Sequence, residues 1–524
     1  MSLAIESVLI SESVDPSCES ILSQNGISTT TKVGLTAEQL KSEIQNYHGL
    51  IVRSATKVTS DIIAAGKNLK IIGRAGVGVD NIDCDAATKH GVLVINAPGG
   101  NTLSAAELTC CMITSLSRSI PEACATLKNG KWDRKRFMAN ELNGKTLAII
   151  GLGRIGREVA FRMQAFGMKT IGFDPLVPAE ESIKFGVETI ELSEIWPLAD
   201  YITVHTPLIP QTKNMLNKET FAKCRKGVKV VNCARGGIID EDALFDALES
   251  GQCGGAGLDV YLEEPPKNTK LIQHPKVICT PHLGASTHEA QSRVAVEISE
   301  QMVALNQGQS AHGIVNSPAF SLSMSSANRD GVVLSKTVGH LIASLFANTE
   351  SEITVSVNVH GTDLHRKEIM FSTAVLIGML QQRKKAANFV NAPTLAKDLG
   401  FTVEKVSTGP PKGHNLSVEV VASSANQKHS ALVTLKGSND PVLCAIDGHS
   451  FKVHPLLAGH LILLKSSLSS ALTLCGSLIE KGVIDNASWS SCIDGKSWSV
   501  LNSNKPADLA NIGHPVDFYA QISL

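Results

Sequence analysis

The chain has 524 residues, room for three or four domains of about 100–200 residues each. Hydrophobic residues make up 43% and charged residues 19%, which builds real cores and excludes a disordered chain. A formal net charge of −1 excludes the concentrated basic face of a general nucleic-acid binder, although a few placed arginines could still select a small anion.

The opening MSLAIESVLI lacks a basic leader and reads as a first strand, not a signal peptide. Short apolar runs at 8–10, 50–52, 70–72 and 92–95 predict strands, with helices at 37–45 and 60–65 between them. That is the rhythm of a parallel sheet. Pro98, Gly99 and Gly100 interrupt it, and residues 104–127 predict one long buried helix rich in small residues. A second parallel series follows, with strands at 146–150, 169–173, 201–203, 228–232, 255–258 and 277–280. The helix predicted at 287–306 is expected to return to the first domain, making that domain discontinuous. Residues 316–330, rich in Ser and Asn, predict a linker. Beyond it Ile353, Val355, Val357 and Val359 alternate with polar residues, as in a half-exposed strand. Further strands are expected at 417–421 and 431–435. A strand at 460–464, a helix at 470–481 and strands at 487–492 and 497–501 suggest a small regulatory module. No apolar run reaches the ~18 residues that cross a bilayer. The 12 cysteines are scattered without a CxxC pair, which argues against structural zinc and a thioredoxin-like site. Reduced thiols in the cytosol and no metal are expected.

The strongest local pattern is KTLAIIGLGRIGREVAFRMQAFGMKTIGFD, 145–174. A strand enters Gly151-x-Gly153-x-x-Gly156, a helix opens at once, and a second strand delivers Asp174, 23 positions after Gly151. In such a Rossmann turn Gly151 allows the tight bend, Gly153 admits a pyrophosphate and Gly156 lets helix and strand pack closely. The helix N-terminus offers N–H groups to the phosphates. Asp174 would accept from ribose hydroxyls and repel a 2′-phosphate, which favours NAD over NADP. The glycines from Gly73 to Gly78 also follow a strand, but no acid follows at the right distance.

Oxidising a hydroxy acid with NAD needs a base for the hydroxyl proton, a cation for the carboxylate and a partner that orients the base. Imidazole, guanidinium and carboxylate suit these tasks. Arg235 in VNCARGG, Glu264 in LDVYLEEP and His282 in TPHLGAST each follow a strand of the second sheet. Ligands of open α/β sheets bind at such carboxyl ends.

These motifs, downstream of GLGRIGREVA, resemble the D-isomer 2-hydroxyacid dehydrogenases over residues 1 to about 310. The resemblance implies Arg235 as substrate binder, Glu264 (which directly precedes the proline) as orienting acid and His282 as acid/base. It implies that Val77, Arg154, Ile155, Thr206, Cys233, Ala234, Asp259, Gly284 and Ala285 line the cofactor with Gly151, Gly153, Gly156, Asp174, Arg235 and His282. VRSATKVT, GRAGVGVDNID, APGGNTLSAAEL and NGKWDRKRF are most similar to a branch that handles a phosphorylated 2-hydroxy acid. By that likeness Arg53, Ser54, Arg74, Gly76 and Asn101 border the substrate, and Arg134 reaches the phosphate in a neighbouring subunit.

The implied fold is α/β. A Rossmann-like NAD-binding domain (98–283) is inserted in a discontinuous flavodoxin-like substrate domain (1–97 and 284–310). An α+β intervening domain (316–450) and an ACT-like α+β domain (451–524) follow. The implied partners are a small phosphorylated 2-hydroxy acid and further copies of the chain, with a dimer through the NAD-binding domain and then a tetramer. No nucleic acid or membrane is expected. The rivals are reductases of 2-hydroxyglutarate, malate, glyoxylate or hydroxypyruvate on the same fold, and an NAD-sensing co-repressor-like scaffold.

Overall fold

The structure is a computed structural model that describes residues 3–346, 352–383, 386–411, 413, 416–437, 440–503 and 517–523. Four sheets organise it. The first holds five parallel strands, Ser7–Ile10, Ser28–Thr31, Gly49–Val52, Ile71–Arg74 and Leu93–Asn96, in the order 2-1-3-4-5. That order is flavodoxin-like. Sequence periodicity misses Ser28–Thr31, because STTT has no apolar residue and lies at the sheet edge. The helix His288–Asn306 packs Ile298 and Met302 over Gly73, where a side chain would collide with both.

The second sheet is wholly parallel. Its strands are Thr146–Ile150, Lys169–Phe173, Glu188–Thr189, Tyr201–Val204, Val228–Asn232, Cys253–Leu258 and Val277–Cys279. Numbered within the sheet, their order is 7-6-5-4-1-2-3, which contains the Rossmann order 3-2-1-4-5-6.

The expectations for 104–127 and 316–330 need correction. The helix expected over 104–127 is two helices, Thr102–Arg118 and Ile120–Lys128, broken at Ser119 with φ 50°. Pro121 lacks an amide donor and its ring would clash with a carbonyl one turn back, so a straight helix cannot pass. Only the first helix is buried; the second buries no residue. The linker expected at 316–330 is instead helical, with Pro318–Ser323 and the start of Arg329–Leu345. Its Ser and Asn residues are caps and cross-links. Ser317 Oγ accepts from Phe320 N–H at 3.2 Å. Asn316 accepts from Val94 N–H at 2.8 Å and donates to Val92 O at 2.9 Å, while Val315 N–H reaches Val94 O at 2.9 Å. The chain thus lays residues 313–316 along the outer strand of the first sheet.

The third sheet is mixed, in the order Phe401–Gly409, Ile353–His360, Ser417–Ser423, Lys428–Lys436, Asp440–Ile446, His449–Ser450. Ile353, Val355, Val357 and Val359 are buried, as their alternation predicts. The fourth sheet is antiparallel and sets His460–Ser466 between Ser497–Ser503 and Phe518–Ser523, with Ile484–Trp489 at the edge. The strand expected at 487–492 therefore begins earlier, and the last strand was not foreseen. The two sheets interlock: Phe451 bridges Ser490, Ser491 N–H donates to Ser450 O at 2.7 Å, and His429 packs edge-on against Trp498. Among the described residues no helix is long and apolar enough to cross a membrane.

Candidate active site

The carboxyl ends of the first two sheets face one another across two adjoining clefts. One, of about 550 Å³, is lined by Arg53, Ser54, Arg74, Gly76, Asp80, Arg235, Glu264 and His282. The other, of about 440 Å³, is lined by Val77, Asn101, Ile155, His205, Thr206, Cys233, Ala234 and Gly284. Arg74, Asp80, Leu208, Arg235, His282 and Ala285 line both, so the clefts meet at the catalytic candidates.

The glycine turn does what its spacing requires. Gly151 has φ 98°, and a Cβ there would lie 2.5 Å from the His205 carbonyl oxygen. A Cβ at Gly156 would overlap the Gly151 carbonyl. Gly153 faces open space, and the helix Arg154–Ala165 starts behind it with no side-chain cap, leaving its first N–H groups for an anion. Asp174 stands beside this turn and accepts from Leu152 N–H and Leu176 N–H, each at 2.8 Å. Thr206 Oγ1, Asn101 Oδ1 and Arg74 Nε are buried with no hydrogen-bond partner. Orphaned groups of this kind are uncommon and fit a polar ligand such as a dinucleotide.

The catalytic candidates hold one another. His282 has φ 55°, fixed by its N–H donating to Asp259 O at 3.0 Å. Its Nδ1 meets Glu264 Oε2 at 2.7 Å. An ionised Glu264 only accepts, so Nδ1 carries the proton and Nε2 is left for a ligand. Glu264 Oε1 also accepts from Tyr261 N–H at 3.3 Å, and the Tyr261 hydroxyl donates to Thr280 O at 2.9 Å. The Arg235 loop is braced by Asn232, which donates to Arg235 O at 2.8 Å and accepts from Ala234 N–H at 3.0 Å.

Two more cations face the cleft. Burial pushes the Arg74 guanidinium down to about 10 and nearby Arg235 adds to this, while Asp80 and Glu12 oppose it; Arg74 stays charged at neutral pH. Gly76 is required beside it, since a Cβ there would overlap Arg74 Nη1. Glu12 fixes the Arg53 loop by accepting from the N–H groups of Arg53 and Thr56, both at 2.8 Å.

Seven expected residues line neither cleft: Gly151, Gly153, Gly156 and Asp174 of the turn already described, and Arg134, Arg154 and Asp259. Arg134 is exposed in a turn between the helix Ile120–Lys128 and the strand Thr146–Ile150. Arg154 is exposed at its helix start, beside Gly99. Asp259 is fully buried beside the second cleft, accepting from Leu283 N–H at 2.7 Å, Gly284 N–H at 2.8 Å and Thr280 Oγ1 at 2.6 Å. It holds the His282 loop. Sequence reasoning missed Glu12, Asp80 and His205. Burial pushes the His205 imidazole down to about 4, so it is neutral. Asp80 and Glu12 carry no motif of their own, although Asp80 lies inside GRAGVGVDNID.

A Rossmann sheet with a glycine turn, a terminal acid and a histidine–carboxylate pair defines a dinucleotide-dependent oxidoreductase. Comparison with known proteins agrees. The model for the NAD-binding domain of D-isomer specific 2-hydroxyacid dehydrogenases matches residues 110–284, and that for the D-3-phosphoglycerate dehydrogenase intervening domain matches 329–447. Rat D-3-phosphoglycerate dehydrogenase is 48% identical over 488 residues, 91% of either chain. The Bacillus subtilis enzyme of that name is 42% identical over 423 residues, 80% of either chain. D-lactate dehydrogenase from Aquifex aeolicus, solved complexed with NAD and lactic acid, superposes with TM-score 0.53 at 29% identity, covering 57% of this chain and 96% of that one. The chain belongs to the D-3-phosphoglycerate dehydrogenase family, within the D-isomer specific 2-hydroxyacid dehydrogenases, and is an NAD-dependent oxidoreductase.

Proposed function

We propose that the chain oxidises 3-phospho-D-glycerate to 3-phosphooxypyruvate with NAD, opening the phosphorylated route to L-serine. The observation that carries this reading is the His282–Glu264 pair, 2.7 Å apart, facing a cleft lined by Arg53, Arg74 and Arg235. Bound NAD supplies the hydride acceptor. His282 Nε2 takes the hydroxyl proton of the substrate, and Glu264 on Nδ1 holds the ring and favours the imidazolium. Arg235 holds the carboxylate and polarises the forming carbonyl. Arg53, Ser54 and Arg74 hold the phosphate, and Arg134 adds to it from a second copy. Asn101 and Gly76 shape the cleft, and Gly151, Gly153, Gly156 and Asp174 hold NAD together with the residues that line the second cleft alone.

We also read the chain as a dimer formed through the NAD-binding domain and then a tetramer. Ile120, Leu127, Trp132 and Met138 on that domain are exposed and apolar, which supports a contact there. The fourth sheet, with order 4-1-3-2 among its own strands, supports an ACT-like reading of the C-terminal module. Among the described residues every cysteine is a free thiol, which supports a reducing compartment such as the cytosol.

Steady-state kcat/KM for a panel of D-2-hydroxy acids, with NAD and with NADP, tests the reading. 3-Phosphoglycerate should lead by at least about tenfold, a difference of some 1.4 kcal/mol. Preference for malate, 2-hydroxyglutarate or glycerate would overturn the substrate. Asp174→Ala should weaken NAD about tenfold or more, the usual loss with a charged hydrogen-bond acceptor, and narrow its advantage over NADP. Unchanged titrations for both nucleotides would remove Asp174 from the cofactor site.

A further inference from the structure

We propose that Asp80 is a positioning residue that reaches across the cleft to aim Arg235 at the substrate carboxylate. The inference rests on the function proposed above. Asp80 lies on the loop between the first-sheet strand Ile71–Arg74 and the helix Cys84–Lys89. Arg235 lies on the loop after the second-sheet strand Val228–Asn232. Their contact, Arg235 Nε to Asp80 Oδ2 at 3.1 Å, therefore joins the two lips of the cleft.

The rest of the guanidinium is also placed. Arg235 Nη1 donates to Ala234 O at 2.7 Å. With Nε on Asp80, the Nη2 side remains for a ligand. Gly78 makes room for this arrangement: a Cβ there would overlap Arg235 Nη2 and stand 2.7 Å from Asp80 Oδ2. Arg74 and Arg235 repel one another, and Asp80 is a negative charge set against Arg74 as well. Without it the two cations are free to separate, and the fork no longer meets a planar carboxylate squarely.

A purely structural role fits poorly. The side chains of Asp80 and Arg235 are 71% and 29% exposed, and ion pairs so open to water add little to folding. Aim is a different matter. A displacement of about 1 Å at a positioning group costs roughly 10²-fold in rate.

The test uses the full chain with Asp80→Ala, Asp80→Asn and Gly78→Ala. Asp80→Ala should lower kcat/KM by roughly 10²-fold. Asp80→Asn keeps an acceptor for the Nε–H and should recover about tenfold of that loss. Gly78→Ala keeps every charge, displaces the pair and should also lower kcat/KM. Melting temperature and NAD affinity should stay at parent values in the Asp80 variants. An Asp80→Ala enzyme within about twofold of the parent overturns the proposal. So does a fall in NAD affinity or melting temperature that tracks the lost activity. If the parent prefers another 2-hydroxy acid, the same ratios are read on that acid, since every such substrate carries the carboxylate. If the parent turns over none, the proposed function fails by itself. Calorimetric titration of the protein–NADH complex with oxalate then decides for Asp80: at least about tenfold weaker binding in Asp80→Ala supports it, and unchanged binding overturns it.

Discussion

Replacing His282 by asparagine is expected to lower kcat by about 10²–10⁴-fold, the usual cost of losing a general acid–base, with NAD affinity unchanged. Asparagine is the right probe because position 282 has φ 55°, a left-handed conformation that Asn tolerates better than Ala. The backbone bond from the 282 N–H to Asp259 O, and with it the loop that carries Gly284 and Ala285, should then persist. Only the imidazole is lost. Glu264→Gln should cost less, since an amide still contacts Nδ1 at the same place but no longer stabilises the imidazolium. Rates within about tenfold of the parent for His282→Asn would remove it as the proton acceptor. A simultaneous loss of NAD affinity would show instead that the loop had collapsed.

Gly236→Ala should be nearly as damaging, for a reason no motif announces. A Cβ at 236 would fall on the Tyr261 carbonyl, with the Leu262 amide 2.8 Å away. Both neighbours are backbone, so no side chain can swing aside. The loop carrying Arg235 must move away from the loop carrying Glu264, and the trio separates. Overpacking of this kind costs about 1–3 kcal/mol in stability. The misplacement should cost roughly 10²-fold or more in kcat/KM. Thermal melting and steady-state kinetics on one preparation would read both. Parent-like kinetics in a destabilised protein would mean that the two loops need not touch for catalysis.

The residues whose task is local could be read from the sequence. Gly151, Gly153, Gly156 and Asp174 fall within one strand–turn–helix–strand unit, so spacing alone is enough to propose them for the cofactor. Arg235, Glu264 and His282 each stand just past a strand, and parallel sheets gather such positions at one end. What could not be read depends on contacts between distant segments. Asp80 meets Arg235 across 155 positions, and Glu12 meets the Arg53 loop across 41. Asp259, expected at the cofactor, is also the buried brace of the His282 loop, a role only burial reveals. The stretch 316–330 misleads because Ser and Asn serve helix caps as readily as linkers. Pro121 breaks the stretch 104–127, a helix-stopping residue that a reading based on its small residues passes over.

The two edges of the first sheet are guarded against other chains in different ways. The strand Ser28–Thr31 is short and hydroxyl-rich and is followed by Lys32, chemistry that discourages a foreign strand from adding to it. The opposite strand, Leu93–Asn96, is apolar along most of its length and would template aggregation if left bare. Residues 313–316 are its cover: Asn96 N–H reaches Gly313 O at 2.9 Å, Ile95 bridges Ile314, and Asn316 seals the end. A recombinant chain stopped just before residue 313 would leave the candidate catalytic residues in place while opening this edge to its neighbours. The loss should then show as time-dependent clumping of still-active protein, and a chain extended through Asn316 should escape it.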